Sequence, residues 1–156
     1  LIMKVRYATH DDINEGVALG KMMWAESKYN SVEWDTEKAK RFVSHHMDSN
    51  DNFSAVAVDD KDKIMGFCLG YLTEFFFSHE KVACDSVWFV DPSKRGGVAG
   101  ARLMKFFEKW AKDNGASEIR PAISSGVMIE RSKILLEHLG YEHVGYAFVK
   151  QIKKEK

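Results

Sequence analysis

Cysteine is scarce in this chain, at 2 of 156 residues, and neither Cys68 nor Cys84 has a partner at metal-site or redox-motif spacing. Both read as small buried hydrophobes inside strand-like runs. Charge of one sign is lacking as well: Lys plus Arg and Asp plus Glu stand at 23 each. Nothing in that balance predicts the coherent basic face a nucleic-acid binder requires or a general attraction to a membrane. No apolar run is long enough for a transmembrane helix and no signal-peptide pattern occurs, so the expected location is the cytosol. A metal site has no support either. His45 and His46 are adjacent rather than four apart, so one helix face cannot aim both at an ion, and they read as surface or partly buried polar residues. The short basic tail Lys150 to Lys156 reads as a solvated segment. Leu1 and Ile2 stand ahead of Met3-Lys4-Val5-Arg6, which looks like the natural beginning of a strand, and they enter no site argument.

What remains is an ordinary length at 45% hydrophobic residues, enough for a single domain over residues 1–156 with one sizeable core. Strand and helix patterns alternate without linker or repeat. Residues 3 to 8 predict a strand. Thr9 to Asp12 offer caps before an amphipathic helix through Ile13, Val17, Leu19, Met22 and Met23. A second helix is expected from Thr36, as cap, to about Met47. Phe53 to Val58 and Ile64 to Leu72 read as an antiparallel hairpin across a polar connection, and Val82 to Val90 as the next strand. A long helix follows through Leu103, Phe106, Phe107, Trp110 and Ala111, ended by Asn114-Gly115. Glu118 to Ile123 predicts a strand, Met128 to Leu139 a helix stopped by Gly140, and Glu142 to Ile152 a last strand. Phe75-Phe76-Phe77 is expected to plug the core, with a substrate lid or dimer contact as the alternatives.

The most informative stretch joins strand to helix through Val90-Asp91-Pro92-Ser93-Lys94-Arg95-Gly96-Gly97-Val98-Ala99-Gly100-Ala101. Pro92 ends the ladder. Small residues then let an anion approach the unpartnered amides of the first helical turn, where the macrodipole adds attraction, and Arg95 supplies a cation at the rim. A nucleotide-triphosphatase loop would need Lys followed by Ser or Thr after the second glycine, and a dinucleotide fingerprint would need glycines at positions one, three and six. Neither fits Gly96, Gly97 and Gly100. The plain alternative is a strand-to-helix connection without a ligand.

With Val90, Pro92, Arg95, Gly100, Leu103 and Met104 in place, the segment resembles the acetyl-coenzyme A loop of the GNAT family of N-acetyltransferases: Val-x-Pro, two residues, Arg or Gln-x-x-Gly-x-Gly or Ala, then x-x-Leu-Leu. Val98 departs from the family's middle glycine. Its amide is retained, but a β-branched residue resists positive φ, so the loop works only with residue 98 in the right-handed region. The element order β-α-α-β-β-β-α-β-α-β is similar to the family's over nearly the whole chain. The resemblance implies an α/β fold with a mixed, mainly antiparallel sheet flanked by helices, whose fourth and fifth strands splay to admit the pantetheine arm.

It implies, too, an acyltransferase using acetyl-CoA as cosubstrate and no metal: a primary amine attacks the thioester directly in a ternary complex. Arg95 and the amides of Gly96, Gly97, Val98, Ala99, Gly100 and Ala101 would hold the pyrophosphate, the backbone of Trp88, Phe89 and Val90 the pantetheine, and Ser132 could bond the cofactor arm. Asp85 is the candidate base; period-two alternation puts it on a face with Val87 and Phe89, whose apolar neighbours would raise its pKa. Otherwise it is a strand-edge carboxylate paired with Lys or Arg. Glu74 and Glu80 are fallback bases. The family's usual acid, a tyrosine on the last helix, is missing, since Leu136 stands there; Tyr141 or Tyr146 could help, or thiolate could leave unaided. Trp24, Tyr29 and Trp34 suggest aromatic walls for an amine, with Glu26, Glu33 and Asp35 to attract it. The acceptor's identity is open, a homodimer is possible, and the competing function is a non-catalytic CoA-binding or protein-interaction module.

Overall fold

The structure, a computed structural model, describes residues 2–152; Leu1 and the last four residues of the basic tail lie outside the described residues. Five strands form one sheet in sequential order: β1 (Lys4–Tyr7), β2 (Asn52–Val58), β3 (Ile64–Glu74), β4 (Lys81–Val90) and β5 (Ala116–Arg120). Neighbours run antiparallel except β4 and β5, which are parallel. That one parallel pair demands a crossover. It is supplied by α3 (Ala99–Asp113), while α1 (Ile13–Glu26) and α2 (Thr36–His45) precede the β2–β3 hairpin and α4 (Ile129–His138) follows β5.

The sheet divides two apolar layers. Alternation along β3 sends Cys68 and Leu72 toward α3, where Phe53, Leu103, Met104, Phe107 and Trp110 pack, and sends Phe67 and Leu69 toward α1, where Leu19, Val56 and Phe89 pack. Gly70 marks the tightest approach: a Cβ there would sit 2.5 Å from the Phe107 ring and 2.8 Å from the Cys84 carbonyl oxygen. The absent side chain lets a wholly buried phenylalanine lie on the strand. Helix α3 turns its apolar stripe inward and ends as expected at Asn114, with Gly115 at φ 79°.

Some expectations require correction. The cap of α2 is Asp35, whose carboxylate accepts from the Lys38 amide at 2.9 Å, and not Thr36. Strand β5 begins at Ala116 and ends at Arg120, so residues 121 to 123 leave the ladder. Phe76 and Phe77 are 99% and 71% exposed at the β3–β4 tip, so this triplet does not plug the core. Between Glu142 and Ile152 no strand forms among the described residues. Val144, Tyr146 and Phe148 stand exposed there, because alternation encodes a face and a ladder also needs a partner edge.

Candidate functional site

Strands β4 and β5 pair only from Lys81 with Ala116 to Cys84 with Arg120, and then part. Asp85, the next residue of β4, spans the point of divergence by accepting a 2.8 Å hydrogen bond from the Ala122 amide. Beyond it opens a cleft of about 370 Å³, walled by residues 85 to 90 on one side and 122 to 125 on the other. The start of α3, Arg131, Ser132 and Leu135 of α4, and Met23, Ser27 and Tyr29, at and after the end of α1, complete the lining. With β5 gone, the outward backbone groups of residues 88 to 90 lack a strand partner; Arg95 takes the Val90 carbonyl, and an extended diamide satisfies the need of the others.

Val98 is the N-cap of α3 with φ −101° and ψ 0°, within the right-handed region its branched side chain tolerates. Its side chain is 60% exposed and takes no part in the cleft wall. The left-handed conformation falls instead on Gly96, at φ 93°. The first bond inside α3 runs from the Arg102 amide to the Val98 carbonyl, so the amides of Ala99, Gly100 and Ala101 have no helical acceptor, and these residues line the cleft. The Trp88 indole donates to the Gly100 carbonyl at 3.2 Å and fixes the helix start over the strand.

Arg95 differs from expectation. Its guanidinium pairs with both Glu26 oxygens at 2.5 and 2.9 Å, donates to the Val90 carbonyl, and lies over the Phe89 ring. Its charge is shared with α1 rather than offered at the rim. Lys94 and Arg95 both line the cleft, and a further cation beside the loop is Arg131, which the sequence reading missed: its guanidinium is 3.3 Å from where a Cβ would stand on Gly96. A helix-borne arginine 35 residues beyond that glycine carries no motif to announce it.

Next to the fork, β4 is bulged between the pairs Gly70 with Asp85 and Leu69 with Val87, leaving Ser86 as the extra residue. The bulge reverses the face expected for Asp85. Val87 and Phe89 face α1, whereas Asp85 pairs with Gly70 on the α3 side, near Cys68 and Tyr141. Burial raises its pKa from 3.8 to about 6, against a lowering by the Ala122 hydrogen bond. Ser86 lines the cleft and meets His46 Nε2 at 2.9 Å, while His46 Nδ1 meets the Phe42 carbonyl at 2.9 Å. His46 is 6% exposed, and burial lowers its pKa against a raising by the Phe42 hydrogen bond, with the charge of His45 adding to the lowering.

Several other candidates stand apart from this cleft. Glu74 pairs with His79 at 3.3 Å on the surface. The Tyr141 hydroxyl is buried on the α3 side without a hydrogen-bond partner, and Tyr146 is 82% exposed. Leu136 is buried. Trp34, Glu33 and Asp35 border a second, mostly apolar cavity of about 340 Å³ between α1, α2 and the sheet, which shares Met23 and Val87 with the cleft. Among the described residues no cluster of three or more His, Cys, Asp or Glu could hold a metal ion, and no helix is long and apolar enough to cross a membrane.

Comparison with known proteins bears on this geometry. The sequence model of the acetyltransferase (GNAT) family matches residues 19–124. No curated protein sequence matches. Among solved structures, glucosamine-6-phosphate N-acetyltransferase from Arabidopsis thaliana superposes with a TM-score of 0.75 at 17% identity, covering 98% of this chain and 100% of that one. The aminoglycoside N-acetyltransferase AAC(6')-Iy, solved with CoA, gives 0.77 at 16% identity, covering 98% and 96%. A structure described as a transcriptional regulator from Bacillus halodurans C-125 gives 0.80 at 16%, covering 97% and 100%. At such identities the superpositions speak for the fold.

Proposed function

This chain belongs to the GNAT family of acetyltransferases, and on that premise we propose that it moves an acetyl group from acetyl-CoA to a primary amine by direct attack in a ternary complex. The observation that carries the reading is the open row of α3 amides at Ala99, Gly100 and Ala101, at one end of a fork whose β4 edge has lost its partner. Pyrophosphate would take those amides, with Gly96 and Gly97 allowing close approach and Arg131 adding charge. Arg95, held by Glu26, would keep the loop in place, and the amide of Val98 would join the row. The pantetheine would pair with the backbone of Trp88 to Val90, near Ser132. Amides at the fork would polarise the thioester carbonyl.

An alkylamine is protonated near pH 7 and must lose a proton before it attacks. Asp85 would accept it: the carboxylate lines the cleft, and burial has raised its basicity without keeping it protonated at neutral pH. We add two further proposals. A cytosolic setting is supported by the unbonded Cys68 and Cys84. A homodimer is supported by the exposed Val144, Tyr146 and Phe148 and, separately, by the open edge of β5.

The test is calorimetry with acetyl-CoA, followed by turnover with tryptamine, spermidine, kanamycin, glucosamine 6-phosphate and a lysine peptide. The expected result is binding and acetylation of at least one amine. Leu136 in place of the family's tyrosine favours a second reading, a CoA-binding module without catalysis, for which CoA would stabilise the fold and no amine would be acetylated. Absence of any heat with acetyl-CoA would defeat both.

A further inference from the structure

Resting on the acetyl-transfer reading, we propose that Ser86 and His46 form a proton shuttle that carries a hydrogen from the attacking nitrogen to the departing sulfur, the task left vacant by Leu136. The geometry starts from His46. Its Nδ1 faces the Phe42 carbonyl at 2.9 Å, and a carbonyl can only accept, so Nδ1 carries the hydrogen. Neutral imidazole then has a lone pair on Nε2, aimed at Ser86 Oγ at 2.9 Å, and the hydroxyl donates to it. The ring is buried against Phe42 at the end of α2, with centroids 4.5 Å apart, which fixes its orientation. Burial, the largest cause, holds it neutral against the opposing pull of the Phe42 carbonyl, with His45 acting on the side of burial; neutral is the form the shuttle begins from.

Ser86 belongs to the wall of the cleft, and the β4 bulge sets it beside Asp85, the carboxylate that bridges to Ala122. Two proton events thereby have two groups. Asp85 takes the hydrogen that makes the alkylammonium a nucleophile and passes it to water. After the carbon–nitrogen bond forms, the nitrogen still carries one hydrogen too many for an amide. Ser86 Oγ accepts that hydrogen as it gives its own to His46 Nε2. When the carbon–sulfur bond breaks, the imidazolium returns a hydrogen to Oγ, and Oγ passes one to the thiolate. Amine and thioester become amide and thiol, and the shuttle ends as it began. Ser86 is the group that touches the reacting atoms; His46 acts through it as a positioning residue and proton reservoir.

The experiment compares Ser86→Ala, Ser86→Thr, His46→Gln and wild type, using acetyl-CoA and whichever amine of the panel is turned over fastest, with the His46 ring read by nitrogen NMR in the full chain. Ser86→Ala and His46→Gln are expected to lower kcat about 100-fold, within the range for a positioned proton-transfer group, and to leave the acetyl-CoA KM within about twofold. Ser86→Thr, which keeps a hydroxyl, should recover to within about fivefold of wild type. NMR should find hydrogen on Nδ1 and an Nε2 signal that moves in Ser86→Ala. Turnover unchanged in both deletions, a loss that threonine fails to recover, or hydrogen on Nε2 would each overturn the shuttle while leaving acetyl transfer standing. A wild-type protein that acetylates no amine would overturn the transfer reading and the shuttle with it.

Discussion

Moving the Asp85 carboxylate from water to the floor of the fork raises its pKa from 3.8 to about 6, with burial as the main cause. The sign of the consequence follows from proton counting. Between those two values the folded chain holds the proton more tightly than the unfolded one, so stability falls as pH rises through that window. Above about pH 6 the whole cost of the buried charge is present, roughly 2–3 kcal/mol. Asp85→Asn keeps an oxygen for the Ala122 amide and removes the charge. Its melting temperature should exceed the wild type's at pH 8 and converge with it near pH 4, while its turnover falls at least about 100-fold at pH 8. The wild-type rate should drop as pH is lowered through about 6, where the carboxylate takes up its proton. The family resemblance singled out this residue, by its place in the strand before the glycine turn. Its face was hidden, because a bulge belongs to the pairing of two strands and leaves no mark in either alone. Ser86 and His46, 40 residues apart, were hidden for the same reason.

Among elements, α3 was the most legible and the connections around it the least. The helix announced itself by an apolar stripe over four turns and a glycine stop, both local features. The tie between Arg95 and Glu26 spans 69 residues, and nothing in the loop motif tells whether an arginine reaches outward to a ligand or backward to another helix. Its role as a tie has a signature: Arg95→Ala and Glu26→Ala should each raise the dissociation constant for acetyl-CoA about threefold to tenfold, and the double variant no more than either alone. An Arg95 that held phosphate directly would instead bind more tightly once Glu26 was gone. Strand β3 makes a separate prediction. With a Cβ at Gly70 only 2.5 Å from Phe107 and 2.8 Å from a backbone oxygen, Gly70→Ala should cost about 2 kcal/mol or more in denaturant unfolding, since neither neighbour can yield freely.

For the molecule as a whole, the succession of strands and helices as far as α4 followed from periodicities of two and 3.6, the mixed sheet from the family resemblance, and the crossover through α3 accounts for the parallel pair. The last segment is where that reasoning stopped short. Its alternation is plain, yet Val144, Tyr146 and Phe148 are 89%, 82% and 93% exposed, so the face it encodes has no counterpart among the described residues. A second copy would provide one. Sedimentation should therefore report a dimer, and Tyr146→Asp with Phe148→Asp should shift it to monomer while leaving the α3 core folded.

The unpaired amides that open α3 also set a clock. No bond within the helix holds the amides of Ala99, Gly100 and Ala101, whereas β3, paired on both flanks, must open before it can trade hydrogen for deuterium. In heavy water Gly100 and Ala101, which are only partly buried, should label well before β3 in the free protein and slow markedly once acetyl-CoA is added, giving a readout of ligand occupancy that requires no knowledge of the acceptor.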